Sequence, residues 1–337
     1  MTTPPAAAAP LLAHLEEPPL PEHIQRALEG HDPIMRERFK NIYWGMQRRE
    51  AAEKAARESA AQSPPPKGQN EKPKAQVIQF PTFPTETRPI VNEIARSSLF
   101  SAIQSKDRQL VENAPVSTSG DTKIFFSGRQ LNQDDHDVFM QLINIGSTRP
   151  AGDYVIVTGH SLLKALGRGT GKSQHDQLEA EIKRLVDGSV SIKAKRFTYF
   201  GHLIHDAKKD EESGHWVFRL NENLLPLFGV NCFTLIDWQQ RKQLKGDLAC
   251  WLQLYLATHA EPFPVKVETL HRLSGSKAKT MFAFRRTLRK ALDTLQTAGH
   301  ITAWHIEPEA DLVHVDRGAA ITNSQQRHLT KPRPRRK

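Results

Sequence analysis

The sequence predicts an α+β chain built from two copies of one small module, and three observations predict it. An apolar-periodic stretch over residues 91–317 is flanked by segments rich in Pro, Ala and charge. Within that stretch one order of elements occurs twice: helix, strand, short helix, turn, long helix, hairpin. In both copies a glycine closes the long helix, Gly188 in the first and Gly299 in the second. That order is the order of a winged helix-turn-helix. The expected architecture is therefore two tandem winged-helix domains, with a disordered or helical N-terminal extension and a basic C-terminal tail.

Residues 1–33 are rich in Pro and Ala without a lasting period, the composition of a disordered segment. Residues 34–62 shift to Arg, Glu, Ala and Lys, all strong helix formers, and predict a charged helix. Residues 63–90 open with SPPPKGQNEKPK and predict a stiff, Pro-rich linker.

The first domain is expected over 91–229. It has a helix over 134–145, a strand through Val155, Ile156 and Val157, and a short helix marked by Leu162, Leu163 and Leu166. A Gly-rich turn and a long helix over 172–187 follow. Extended runs cover 189–200 and continue to about 207 after a break at Gly201, with a last strand over 215–220. The second domain, 230–317, repeats the series: a helix over 238–259, a strand through Val265 and Val267, and a short helix with Leu270 and Leu273. Gly275 marks the turn, a long helix covers 277–298, and a hairpin runs over 300–306 and 312–315. Residues 318–337 form the basic tail.

Charge and cysteine content narrow the function classes. The chain has 337 residues, 47 Lys plus Arg against 37 Asp plus Glu, and a net charge of +10. Two cysteines exclude a disulfide-stapled secreted scaffold. No apolar run approaches the ~18 residues of a membrane span. MTTPPAAAAP lacks the basic start and apolar stretch of a secretory leader. A cytoplasmic setting without membrane contact is expected. Six cations and no acid in the last eleven residues, RHLTKPRPRRK, fit a polyanionic partner or a solubilising tail.

At about 100° per residue, the faces of the long helices can be assigned. In the second, Met281, Phe284, Leu288, Ala291, Leu292 and Leu295 share the core side. Lys279, Arg285, Arg286, Arg289 and Lys290 share the other, and Lys277 and Thr280 stand at the helix entrance. Six cations and no acid lie between Lys277 and Lys290. Surface helices ordinarily mix signs, because like charges four apart repel. A one-sign face suits an outside anion; DNA phosphates supply one, and arginine also reads guanine edges. A plain basic surface is the alternative.

The first long helix carries three cations and four acids, so bulk attraction cannot hold it to a duplex. Its contacts would be Lys172, Ser173, Gln177, Lys183 and Arg184, helped by Lys193, Lys195 and Arg196 in the strand that follows. Phe197, Tyr199 and Phe200 could stack single-stranded bases, but core is the expectation for at least two of them.

No catalytic constellation emerges, and no enzyme activity, cofactor or metal is expected. Gly171-Lys172-Ser173 resembles the end of a P-loop, but Leu166 stands where that motif needs glycine. His202 and His205 lie in a strand-like run, and Cys232 and Cys250 are isolated, without the paired spacing of a zinc site. Acidic pairs such as Asp134-Asp135 fall at a helix start, where carboxylates cap.

Several scattered segments resemble TrfA-type plasmid replication initiators: Ala95-Arg96-Ser97-Ser98-Leu99-Phe100, the run from Phe228 through Trp238, residues 259–264 with 270–275, and Asp311-Leu312-Val313-His314. The resemblance covers roughly residues 91–317. It implies an initiator that binds direct repeats (iterons) in double-stranded origin DNA through two winged-helix domains, opens an adjacent AT-rich segment with possible contact to single-stranded origin DNA, and engages the host replicative helicase and sliding clamp. It also implies a monomer–dimer equilibrium and plasmid association inside the cell. Carried over by position, the recognition residues are Lys277, Lys279, Thr280, Arg285, Arg286 and Arg289, with Ser173 and Gln177 in the first domain. The family can carry a clamp-binding pentapeptide upstream; its nearest counterpart here runs from Gln76 to Phe80, with glutamine in place of the fourth-position leucine. A winged-helix transcriptional repressor, or a partition or copy-control DNA-binding protein, is the alternative function.

Overall fold

The computed structural model describes residues 80–318 apart from 195–197, 230, 260 and 262, together with 19–28 and scattered positions between 33 and 51. The chain divides into two units, Met1–Pro73 and Lys74–Lys337. In the first, helix α1 (Glu22–Ala27) lies inside the stretch expected to be disordered. Pro21 precedes it, and Glu22 in its first turn pairs with Arg26 in its last at 3.9 Å, both placed to suit the helix dipole. The described positions between 33 and 51 are helical, as the charged-helix expectation requires.

The second unit begins earlier than the sequence suggested. Phe80 and Phe83 are buried against Phe228 and Phe233, with ring centroids 5.5 Å apart for Phe80–Phe228 and Phe83–Phe233. The Pro-rich linker expected over 63–90 therefore gives way to core-packed chain at Phe80. Strand β1 (Thr87–Val91) and helix α2 (Asn92–Ala95) follow, then β2 (Phe100–Ser101), β3 (Leu110–Val116), β4 (Lys123–Arg129) and β5 (Leu131–Asn132).

Helix α3 (Gln133–Gly146) opens the first winged-helix series. Asn132 accepts from the N–H groups of Asp134 and Asp135, while Asp135 accepts from the Asn132 N–H, a reciprocal cap. The series continues with β6 (Tyr154–Thr158), α4 (Gly159–Ala165), α5 (Lys172–Asp187), β7 (Ser189–Lys193), β8 (Thr198–His202), β9 (Ile204–Lys209) and β10 (His215–Leu220). The chain bends at Leu203, between β8 and β9, two residues after the expected break.

This copy carries an insertion. β9 and β10 close the winged-helix sheet in the order β6-β10-β9, while β7 and β8 join the upstream hairpin in a separate sheet, β3-β4-β7-β8. Strand β11 (Phe233–Asp237) pairs antiparallel with β1, Val91 opposite Phe233 and Thr87 opposite Asp237. Phe233, Leu235, Ile236 and Trp238 pack on the first core, so the expected boundary at 229/230 moves beyond Trp238.

The helix expected over 238–259 is two helices, α6 (Trp238–Gln243) and α7 (Asp247–Ala257). Gly246 separates them at φ 93, a backbone state that a side chain would strain. The second series then runs α7, β12 (Val265–Lys266), α8 (Val267–Ser274), α9 (Met281–Thr297), β13 (Ile301–Glu307) and β14 (Leu312–Arg317), with sheet order β12-β14-β13. Its core gathers Trp251, Tyr255, Leu270, Phe284, Leu288 and Leu295, while Leu254 of the same α7 packs into the first core.

The two winged-helix units meet through specific polar contacts. Trp251 Nε1 donates to the Ser97 carbonyl at 3.0 Å, and the Arg96 guanidinium donates to Thr258 Oγ1 at 3.0 Å and to the Thr258 carbonyl. Ala102 N–H donates to the Ser274 carbonyl at 2.7 Å. Arg241, fully buried, donates to Asp137 Oδ1 at 2.8 Å and to Gln133 Oε1 at 3.0 Å, both on α3. Burial alone would lower the Arg241 pKa, but the Asp137 carboxylate more than offsets it, and the group is held charged.

Candidate nucleic-acid interface

Helix α9 is one turn shorter than its expected span. Thr280 accepts from the Ala283 N–H at 3.1 Å and starts the helix. Lys277 and Lys279 therefore stand on the approach from α8, not on the helix. At the other end Gly299 takes φ 75, and its N–H and that of His300 satisfy the carbonyls of Gln296 and Leu295. Phe284, Leu288, Ala291, Leu292 and Leu295 are buried, which fixes the rotation of the helix. Lys279, Arg286, Arg289 and Lys290 face solvent, and no carboxylate pairs with them among the described residues.

Arg285 differs. It makes a two-pronged bond to Asp311, 3.0 Å from Nε to Oδ1 and 2.7 Å from Nη2 to Oδ2. Asp311 sits at the hairpin turn between β13 and β14 with φ 52. The Arg285 hydrogen bond holds the Asp311 carboxyl below the usual carboxylate range, and Arg289 adds to the effect. Arg285 thus braces the wing against α9, and its charge is already matched.

The sequence reading passed over Phe282. It lies in the outward stripe of α9 between Lys279 and Arg286, and its side chain is 77% exposed. An aromatic ring where the period calls for a polar residue was the available signal.

In the first winged-helix unit, α5 covers the expected residues and its core stripe is Leu178, Ile182 and Leu185. The Gly-rich segment before it joins α4 to α5 as a helix-turn-helix corner. Lys172 and Ser173 are exposed at the helix start. Three other expected contacts are engaged within the chain. Arg184 is 2.8 Å from Asp135, a carboxylate with no exposed surface that Arg108 also reaches at 3.1 Å. A buried carboxylate without its cations is costly, so Arg184 belongs to the core network and not to a surface. Gln177 donates to Glu181 Oε1 at 2.9 Å, and buried Glu181 is also held by Arg168 at 2.6 Å. Lys183 pairs with Asp187 at 2.8 Å, an exposed pair that a stronger anion can break.

Lys193 is exposed on β7, opposite Lys123 of β4. Lys195 and Arg196 lie outside the described residues, as do Phe197 and Gln76. Tyr199 is core and donates to the His202 carbonyl at 2.6 Å, but Phe200 is 75% exposed. Phe80, the aromatic end of the supposed clamp peptide, is 2% exposed and packed edge-on against Phe228, so it is not free to enter a partner's pocket. His202 bonds to the Gly188 carbonyl and His205 to Asp206. Among the described residues no group of three or more His, Cys, Asp or Glu is arranged to hold a metal, and no helix is long and apolar enough to cross a membrane.

Two winged helix-turn-helix units in tandem, the second with an open cationic helix, define the class of the fold. The family model described as TrfA protein matches residues 49–317, and the chain belongs to that family. The plasmid replication initiator protein TrfA of Escherichia coli is 24% identical over 243 residues, 70% of this chain and 63% of that relative. The match thus spans less than two thirds of the relative's length. Among solved structures, the Pi initiator protein in complex with iteron DNA covers 55% of this chain and 95% of its own at 12% identity and a TM-score of 0.42. Domains 2 and 3 of RctB cover 67% of this chain and 97% of their own at 12% identity and a TM-score of 0.46.

Proposed function

We propose that the chain initiates plasmid replication. It binds direct repeats (iterons) in double-stranded origin DNA through both winged-helix units and promotes opening of the adjacent duplex. It then brings in the host replicative helicase and sliding clamp, and a monomer–dimer balance limits copy number. The observation that carries this reading is the outward face of α9 in a chain of the TrfA family: Arg286, Arg289 and Lys290 exposed on a helix whose other side is buried, with Lys279 exposed just before its first turn. Its N-terminal half suits entry into a major groove, where arginine takes guanine edges and Phe282 takes a thymine methyl. Arg285 positions the wing. The first unit contributes Lys172, Ser173 and Lys193, with Lys183 available once its exposed pair opens.

Single-stranded origin DNA would meet the open face of the β3-β4-β7-β8 sheet, where Phe200 shares a face with Lys123 and Lys193.

Fluorescence anisotropy with a duplex of the candidate repeats tests the central claim. Arg286→Ala or Arg289→Ala is expected either to cost about 1–3 kcal/mol at one base pair or to weaken all sequences evenly and flatten the salt slope by about one unit. Unchanged affinity in both variants at physiological salt would refute the assignment. A plasmid bearing the origin should replicate only with this gene supplied in trans.

A further inference from the structure

Beside α9 lies a second cationic feature that belongs to neither reading head alone. A cleft of about 550 Å3 opens between the 3-10 turn Ser105–Asp107 of the first winged-helix unit, the start of α7, and the flank of α9 carrying Thr287, Lys290 and Thr294. Four lysines line it: Lys106 and Lys245 from the two units, Lys277 from the approach to α9, and Lys290 from α9 itself. Two carboxylates, Asp107 and Asp247, share the lining, which leaves the cations in excess. None of the four ammonium groups lies in a salt bridge among the described residues; Lys277 Nζ only reaches Gln109 Oε1, at 3.4 Å.

Four like charges around one cavity repel one another, and nothing in the fold requires them there: Lys106 and Lys245 are exposed and brace no element. The start of α7, from Gly246 to Ala249, lines the same space. The cleft runs directly into the cationic face of α9 through Lys290. No aromatic side chain lines it, so nothing there would stack a base; its lysines and the hydroxyls of Ser276, Thr287 and Thr294 suit phosphate oxygens.

We propose that this cleft seats backbone phosphates of the DNA duplex between the two reading heads, with Lys106 and Lys245 as phosphate contacts. This rests on the duplex-binding reading above. It adds a sequence-independent clamp at the junction, so affinity comes from the seam between the units as well as from the helices.

The test is Lys106→Ala/Lys245→Ala in the full chain, by anisotropy against the origin repeat over a salt series, with melting curves to confirm an unchanged fold. Losing two phosphate contacts should lower the slope of log K against log salt by about two and weaken binding about thirtyfold at 0.15 M salt, evenly across mutated sites. Wild-type affinity and slope in this variant, with Arg286→Ala still impaired, would overturn the cleft's role alone. A loss confined to one base pair would overturn it too, because that is base reading. A wild-type chain that binds no duplex would remove the function reading and the cleft's role together.

Discussion

Arg285 and Arg286 are neighbours on one helix and have different fates, because 100° of rotation separates contact with the wing from contact with solvent. Periodicity showed both on the cationic side. It could not show Asp311, which lies beyond a hairpin turn and reaches Arg285 only through the fold. Arg184 hides its role from periodicity for the same reason: its partner Asp135 caps another helix. Asp247 gives a residue-scale prediction. Burial, with Asp134 nearby, raises its carboxyl to about 6 from the model-compound value of 3.8. The folded state therefore holds this proton more tightly than the unfolded one, and stability falls as pH rises from about 4 to about 6. A difference of that size is worth at most about 3 kcal/mol, and the partial exposure of the group reduces that. Asp247→Asn should stabilise by about 1 kcal/mol in urea melts at pH 7.5, with the gain shrinking to nothing near pH 4.

At the scale of elements, the short-range signals were legible and the long-range ones were not. Helix α5, the strand β10 and the turn at Gly275 stand where apolar period and glycine placed them. The single helix read over 238–259 failed at Gly246, since propensity does not reveal that a glycine takes positive φ. The change of sheet between β8 and β9 falls two residues from the break marked at Gly201, but that β7 and β8 pair with the upstream hairpin and not with β10 left no local mark, because they alternate like any half-buried strand. Gly275 shows what such a turn must satisfy. It takes φ 63 at the end of α8, and a Cβ there would stand 2.6 Å from Ser101 Oγ and 3.0 Å from Ser98 Cβ. Ser101 cannot swing away freely, because its hydroxyl donates to the Ser98 carbonyl at 2.7 Å. Gly275→Ala should cost about 1–3 kcal/mol in denaturant unfolding. Adding Ser101→Gly should recover part of it; full stability in the single variant would show that the units do not approach this closely.

For the molecule as a whole, the question for the proposed duplex binding is whether the two winged-helix units act as one rigid reader or as two tethered ones. The sequence showed two modules and left their coupling open, because Arg96 and Ser97 lie more than 150 positions from Thr258 and Trp251, the residues they bond. Those bonds, the Arg241–Asp137 pair and the Gly275 contact allow little relative motion without breaking buried interactions. A rigid reader accepts one separation and one angular phase between its two groove contacts. Five extra base pairs between the two groove contacts turn the second groove to the far side of the duplex, and affinity should fall about a hundredfold, toward that of one unit. Ten extra base pairs restore the phase and not the distance. A flexible pair would recover most of its affinity on the ten-base-pair duplex. This chain should not, and anisotropy on the three duplexes separates the two cases.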